Sequence, residues 1–206
     1  MEAIGGVLSA FGLAASAGLN AYVPLFLVAV IARFTDWINL GPTWEPLTSW
    51  WMIGALVVLG AVEFFADKIP AVNHANDVIQ TFVRPAAGAV LFAASTNVVT
   101  DIQPVVAMIA GLLIAGGVHV AKSAAVRPAV SATTAGVGNV PVSIAEDVVA
   151  TILSILAIVV PVVVAALIIV ITSFVVWILY RRARRLPLAL QEALHQAPNH
   201  GGHRAP

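Results

Sequence analysis

Long apolar runs alternate with short polar stretches along this 206-residue chain. A helix needs about 20 mostly apolar residues to cross a hydrocarbon layer roughly 30 Å thick. Four runs have about that length or more, and the longest would extend about 50 Å as a continuous helix. These runs are Ser49–Ala66, Asp77–Asn97, Val105–Val120 and Val148–Tyr180. The pattern predicts an all-α protein built from membrane-spanning helices.

Two further apolar segments contain residues that do not suit a continuous helix. The first covers 3–34 and is interrupted near 16–24, where "SAGLNAYVP" combines Gly and Pro with Asn20. The second, near 129–145, is rich in Gly and Thr and contains Asn139. Irregular backbone at membrane depth persists only where protein buries it or where it lines a cavity. We therefore expect a polytopic integral membrane helix bundle of about six spans, with broken or re-entrant segments at these two places.

Composition supports a membrane protein and argues against several kinds of site. Of the residues, 60% are hydrophobic and 10% are charged, whereas an ordinary soluble domain has about 25% charged residues. The formal net charge is zero, so no overall field attracts nucleic acid. The absence of cysteine removes disulfides and thiolate metal ligands. We expect the lipid bilayer as a partner, and no nucleic acid, metal or cofactor.

Charges in the loops indicate how the helices cross the membrane. "RRARR" at Arg181–Arg185 follows the last run, and the positive-inside rule places it in the cytoplasm. Counting back from there places acidic loops outside and basic loops inside, with Arg33 as the exception. If 3–34 is one broken span, both termini are cytoplasmic; if it is a re-entrant pair, the N-terminus lies outside. The expected organisation is a transmembrane domain over 1–185 in the plasma (inner) membrane, followed by a cytoplasmic, disordered tail over 186–206.

One stretch between two apolar runs holds an unusual share of the charge. It reads "EFFADKIPAVNHANDVIQTFVRP", from Glu63 to Pro85. In an antiparallel helical hairpin, Glu63 and Arg84 would lie at matching depth inside the hydrocarbon. An unpaired Arg at that depth costs at least about 2.5–3.5 kcal/mol, so we expect the two side chains to pair. Asp67 would lie one layer nearer the cytoplasm, on the same helical face as Glu63.

The candidate substrate-binding or ion-coupling residues bring charge, or a side-chain amide, to membrane depth or to a helix break. They are Glu63, Asp67, Arg84, Arg127, Asn20 and Asn139, with Lys68, His74, Asp77 and Lys122 as secondary candidates. An ordinary position at the membrane interface, without a special role, explains Asp67 and most of the secondary candidates equally well. A structural ion pair is the alternative for Glu63 and Arg84.

Enzyme chemistry has little support in the sequence. Asp67, His74 and Asp77 could hold a divalent ion, but the pattern is unspecific. The chain has no Gly-rich phosphate loop, no HExxH and no Ser nucleophile elbow. We therefore assign no catalytic residue and favour a function other than catalysis.

Two blocks of the sequence resemble a known family. "SAGLNAYVPLF" (Ser16–Phe26) and "EFFADKIPAVNHANDVIQTFVRPAAGA" (Glu63–Ala89) are similar to the membrane-protein family catalogued as domain of unknown function 4126. The similarity extends over roughly 10–180. It implies a small bacterial multi-pass protein and supplies neither an activity nor functional residues.

The leading hypothesis is a membrane transporter or channel-like carrier for a small solute or ion. Ionisable groups inside the membrane, and ends of broken helices near its midplane, are typical of transporters. In this hypothesis Glu63 carries a coupling proton. One alternative is a protein that binds or modifies a lipid phosphate head group through Arg84, Arg127 and Lys122; another is a membrane scaffold without transport activity. Small residues on the helix faces also permit a homo-oligomer.

Overall fold

The computed structural model describes residues 2–66, 70–96, 102–134, 138–160, 169–178 and 180–181. Every regular element in these residues is helical, which confirms the predicted all-α class. A short 3-10 turn (Glu45–Thr48) follows α3, and a π-helical stretch, Lys122–Val126, joins α6 to α7. The helices are α1 (Glu2–Leu19), α2 (Tyr22–Phe34), α3 (Gly41–Trp44), α4 (Trp50–Ala66), α5 (Pro70–Thr96), α6 (Pro104–Ala121), α7 (Arg127–Thr134), α8 (Asn139–Val159) and α9 (Ile169–Ile178).

Several helices are long and apolar enough to cross a membrane. In the described parts of the chain, three stretches meet this criterion by length and composition: Asn76–Thr96, Pro104–Thr134 and Asn139–Val159. A fourth is added if Gly41–Thr48 and Trp50–Ala66, which meet at a 60° bend, count as one span. The described residues thus contain three or four candidate spans, and the expected six are not confirmed.

Helix α1 lies at the centre of the bundle, packed against α5, α6 and α8. Its small side chains make close packing possible, since Ala10 and Ala14 are fully buried. Two of its hydroxyls bond to α8: Ser9 donates to the carbonyl of Ala157, and Ser16 donates to that of Ala150 at 2.7 Å. Because side-chain hydrogen bonds join the two helices, α1 is held to α8 by polar as well as apolar contacts.

Helices α5 and α6 run antiparallel and cross at two glycines. A Cβ added at Gly88 would lie 2.8 Å from the carbonyl oxygen of Gly111, and one added at Gly111 would lie 2.6 Å from the Cβ of Phe92. Distances below 3.0 Å leave no space for a side chain. Only glycine therefore permits the two backbones to approach this closely.

The chain reverses direction between α1 and α2. Trp44, only ten residues beyond the end of α2, packs against the core cluster that contains Ala10 and Ala14 of α1. Leu19, at the other end of α1, contacts Lys122 instead. A chain that continued in the direction of α1 would carry Trp44 away from Ala10, since the 13 residues of α2 are about 20 Å long. These contacts favour the alternative of a re-entrant pair over a single broken span for 3–34.

The described residues 169–178 and 180–181 belong to a unit separate from the one that ends at Ala165. In its described part, the rings of Phe174 and Trp177 stack with their centroids 6.0 Å apart, and the Arg181 guanidinium lies 4.2 Å from the Trp177 ring centroid. The predicted tail over 186–206 lies outside the described residues.

Candidate functional site

The expected pair of Glu63 and Arg84 is present in the interior of the bundle. Arg84 Nη2, on α5, donates to Glu63 Oε1, on α4, at 2.9 Å, and each side chain is 1% exposed. Glu63 lies in an otherwise apolar helix, whereas Arg84 lies between the polar first half of α5 and its apolar second half. The ion pair therefore joins α4 to α5 at a depth that water does not reach.

A histidine that the sequence analysis did not select completes this buried centre. His119, on α6 and 4% exposed, places Nδ1 at 3.4 Å from Arg84 Nη1 and Nε2 at 3.3 Å from Thr81 Oγ1. Thr81 donates its own hydrogen to the carbonyl of Asp77 at 2.8 Å. Arg84 can only donate hydrogen bonds, so Nδ1 of His119 is the acceptor. The neutral imidazole therefore carries its proton on Nε2, which faces Thr81 Oγ1. The buried centre thus consists of Glu63, Arg84 and His119.

Gln80 and Tyr22 lie beside this centre and were also missed. Gln80 is 1% exposed and lies near the Tyr22 side chain. Within the described residues, Gln80 Oε1 is buried without a hydrogen-bond partner. A buried amide oxygen without a partner is costly, so this position favours a donor such as a water molecule or a ligand N–H group.

A second group of charges, the ionic cluster, lies toward the end of the bundle where α6, α7 and α8 meet. Lys122 Nζ is 2.6 Å from Glu146 Oε2 and donates to the carbonyl of Leu19 at 3.2 Å. Arg127 Nη1 donates to Asp77 Oδ1 at 2.6 Å and to Oδ2 at 2.8 Å. Arg127 Nη2 is also 3.9 Å from Glu146 Oε2. The cluster therefore links α1, α5, α8 and the α6–α7 connection.

The π-helical stretch explains why two cations five residues apart serve the same cluster. The amide of Arg127 donates to the carbonyl of Lys122, as the i→i+5 pattern of a π-helix requires. Residues five apart then lie about one turn from each other, whereas in an α-helix they point in different directions. Single π turns occur frequently at functional sites, and this one places both cations against Glu146.

The two predicted asparagines have different surroundings. Asn20 lies at the reversal between α1 and α2, where its Oδ1 accepts from the amides of Tyr22 and Val23 at 3.0 Å each. Its Nδ2 donates to Asp147 Oδ1 at 2.9 Å. Asn20 thus caps α2 and ties the reversal to α8. Asn139 is the first residue of α8, about 10 Å along the helix from Glu146, and marks the second break rather than the buried centre.

The structure brings together most of the predicted site residues that it describes. Glu63 and Arg84 belong to the buried centre, while Asp77, Lys122 and Arg127 belong to the ionic cluster. Asp67 and Lys68 lie outside the described residues, and His74 lies in α5 with a side chain that is likewise outside the description. In the described residues, no group of three or more His, Cys, Asp or Glu side chains is placed to hold a metal ion.

Comparison with known proteins gives one result. The model of a protein family described as "Domain of unknown function (DUF4126)" matches residues 7–181. The similarity expected from the blocks at 16–26 and 63–89 is thereby confirmed. No curated protein and no solved structure matches the chain.

Proposed function

Because the chain belongs to the DUF4126 family, whose description names no activity, we propose a function from its own residues. The protein is a membrane carrier for a small solute or ion, and Glu63, Arg84 and His119 form its coupling centre. Glu63 carries the coupling proton, and Arg84 holds the carboxylate in its charged form between transport steps.

The observation that carries this proposal is the burial of three ionisable side chains from three different helices. Taken as whole residues, Glu63 is 2% exposed, Arg84 is 1% exposed and His119 is 4% exposed. Taking such groups out of water is expensive, and apolar side chains of similar volume would hold the helices together as well or better. Ionisable groups inside a membrane are therefore functional candidates before they are structural ones.

The arrangement also suggests how the carrier changes state. A proton on Glu63 would neutralise the carboxylate and release Arg84 toward His119, its second neighbour at 3.4 Å. The ionic cluster also involves α5 and the end of α6, nearer one end of the bundle, so a movement of α5 or α6 would break its pairs. Opening on that side would thus be coupled to the protonation state of Glu63, as alternating access requires.

The proposal includes an orientation in the plasma (inner) membrane of a bacterial cell. The end that carries Lys122 and Arg127 faces the cytoplasm, as does Arg181 after the last helix, in accordance with the positive-inside rule. Because α1 and α2 reverse at Asn20, the start of α1 lies at the end of the bundle opposite Lys122. Glu146, which the loop count expected on the outer side, instead pairs with Lys122 and Arg127 at the end proposed to be cytoplasmic. The N-terminus is then placed outside and the C-terminus in the cytoplasm.

Reconstituted protein tests the coupling. Proteoliposomes with an imposed pH gradient are given inorganic ions, small organic anions and amino acids, and a pH-sensitive dye inside reports proton movement. We expect a solute-dependent proton flux that Glu63→Gln abolishes and that Gly117→Ala leaves unchanged, because a Cβ at Gly117 meets no atom within 4 Å. An unaltered proton flux in Glu63→Gln would contradict the proposed role.

The lipid-phosphate alternative has weaker support from the geometry. Arg84, Lys122 and Arg127 each have a carboxylate partner inside the protein. A head group would therefore have to displace Glu63, Glu146 or Asp77. A thermal shift given by polyprenyl phosphates and lost in Arg127→Gln would favour this alternative over the carrier.

A further inference from the structure

An open cavity of about 810 Å³ lies beside the segment that connects α2 to α4, at the end of the bundle remote from the ionic cluster. Its lining includes one cation and two carboxylates, namely Arg33, Asp36 and Glu45. Asn39 and Thr48 add polar atoms, and Trp50 forms part of the wall. This cavity shares no residue with the buried centre or the ionic cluster, and the proposed transport mechanism does not use it.

Arg33 is held in place without being neutralised. Its Nη1 donates to the carbonyl of Thr48 at 2.6 Å, and its guanidinium lies 4.3 Å from the centroid of the Trp50 ring. These contacts leave the N–H groups of Nε and Nη2 available. Although Arg33, Asp36 and Glu45 are all among the described residues, none of the ion pairs found there joins Arg33 to either carboxylate. The cavity therefore presents a fixed cation and two separate anionic groups.

An apolar groove adjoins the cavity along α4. The groove, of about 740 Å³, is lined by Trp50, Trp51, Gly54, Ala55, Val58 and Leu59. Trp50 borders both the groove and the charged cavity. At Gly54 an added Cβ would meet no atom within 4 Å, so the absence of a side chain there leaves the groove open. A polar cavity and an apolar groove that share a wall match a molecule with a charged head and a hydrocarbon chain.

We infer that the Arg33 cavity and the Gly54 groove together bind one phospholipid with a zwitterionic head group that carries a primary ammonium, of the phosphatidylethanolamine type. The phosphate lies against the free N–H groups of Arg33, and the ammonium lies against Asp36 and Glu45. One acyl chain fills the groove over Gly54. This site is independent of the proposed carrier function.

The charges of the cavity select among lipid classes. A primary ammonium has N–H groups that donate to carboxylates, whereas the quaternary ammonium of phosphatidylcholine has none. An anionic lipid such as phosphatidylglycerol would contact Arg33 through its phosphate, but its negative charge would lie beside two carboxylates. A soluble zwitterion such as phosphoethanolamine would satisfy the cavity and leave the groove unused. The adjoining groove is therefore the reason to assign the site to a lipid.

Native mass spectrometry of the full chain tests this inference. The protein is equilibrated in mixed micelles with equal amounts of phosphatidylethanolamine, phosphatidylcholine and phosphatidylglycerol that have identical acyl chains, and the retained lipid is counted. We expect one phosphatidylethanolamine per protein, retained about tenfold more than either competitor, since one charge-assisted hydrogen bond accounts for such a ratio. Arg33→Gln and Gly54→Leu should each reduce its retention about tenfold.

Matched variants separate a specific site from general lipid adhesion. Gly117→Leu makes the same change on α6, at a position equally free of neighbours within 4 Å, and should retain the lipid. The double variant Asp36→Asn/Glu45→Gln should keep a bound phospholipid but lose the preference for phosphatidylethanolamine over phosphatidylcholine. Equal retention of the three lipids by the unaltered protein would overturn the inference, as would full retention in Gly54→Leu. Displacement of the lipid by phosphoethanolamine at equal concentration would also overturn it, because the groove would then contribute nothing.

Discussion

At the scale of single residues, the contact between Glu63 and Arg84 has a measurable energetic consequence. Arg84→Met removes the cation and leaves the carboxylate of Glu63 in the interior, which for a buried pair costs about 3–5 kcal/mol. In Glu63→Met/Arg84→Met both charges are gone, so we expect the double variant to be more stable than Arg84→Met. Unfolding by SDS titration in mixed micelles, followed by far-UV circular dichroism, measures the free energies of unfolding.

The same variants distinguish a functional pair from a structural one. If Glu63→Met/Arg84→Met is as destabilised as the sum of its two single variants, the side chains are not energetically coupled and the pairing argument fails. If the double variant is stable and still gives solute-dependent proton flux, the pair is structural and Glu63 does not carry the coupling proton. A stable double variant without proton flux is the outcome we expect.

Single residues also show what the sequence could and could not predict. Glu63 and Arg84 were predictable because each interrupts an apolar run, and a charge at membrane depth requires a partner. His119 and Gln80 were missed, since a neutral side chain in or beside an apolar run carries no such requirement. A signal was nevertheless present, because His119 is an imidazole within the apolar stretch "GLLIAGGVHVA".

At the scale of elements, the crossing of α5 and α6 depends on the absence of side chains at Gly88 and Gly111. Gly111→Leu would push a side chain into the backbone of Gly88 and into Phe92 Cβ, at 2.6 Å from the added Cβ. Overpacking of this kind costs about 1–3 kcal/mol or more. We expect Gly111→Leu to lose at least that much stability in the same SDS titration, and to separate α5 from α6 where Thr81 contacts His119.

Gly117→Leu is the matched control for the helix crossing. It lies on the same helix, and a Cβ there meets no atom within 4 Å. Its stability should equal or exceed that of the unaltered protein, because leucine has a higher helix propensity than glycine. Equal loss of stability in Gly111→Leu and Gly117→Leu would mean that the crossing of α5 and α6 is not as close as described.

Helix positions were more predictable than helix directions. The breaks near 16–24 and 129–145 followed from Asn, Gly and Pro, which disfavour a continuous helix whatever surrounds them. Whether the chain continues or reverses at Asn20 depends on packing against α4 and α8, which no local residue specifies. The π-helical stretch at Lys122–Val126 was not anticipated either, because the partners of Lys122 and Arg127 lie on helices that are distant in the sequence.

At the scale of the whole molecule, the reversal at Asn20 determines which ends of the helices share a side of the membrane. The start of α1 lies at the same end of the bundle as the connection between α2 and α4, since Trp44 packs against the core cluster that contains Ala10. The π-helical stretch lies at the opposite end, where Lys122 meets Leu19. A single broken span over 3–34 would instead place the N-terminus on the side of Lys122.

Cysteine labelling distinguishes these two topologies, and the chain suits it because it contains no cysteine of its own. Glu2→Cys, Thr43→Cys and Ser123→Cys report on the start of α1, the α2–α4 connection and the π-helical stretch. With a membrane-impermeant maleimide added to intact cells, we expect Glu2→Cys and Thr43→Cys to react and Ser123→Cys to react only after permeabilisation. The physical reason is that in the proposed orientation the positive-inside rule puts Lys122 and Arg127 in the cytoplasm, and the reversal then puts both other positions outside. If neither Glu2→Cys nor Ser123→Cys reacts in intact cells, the reversal is refuted. If only Ser123→Cys reacts, the orientation is the inverse of the one proposed.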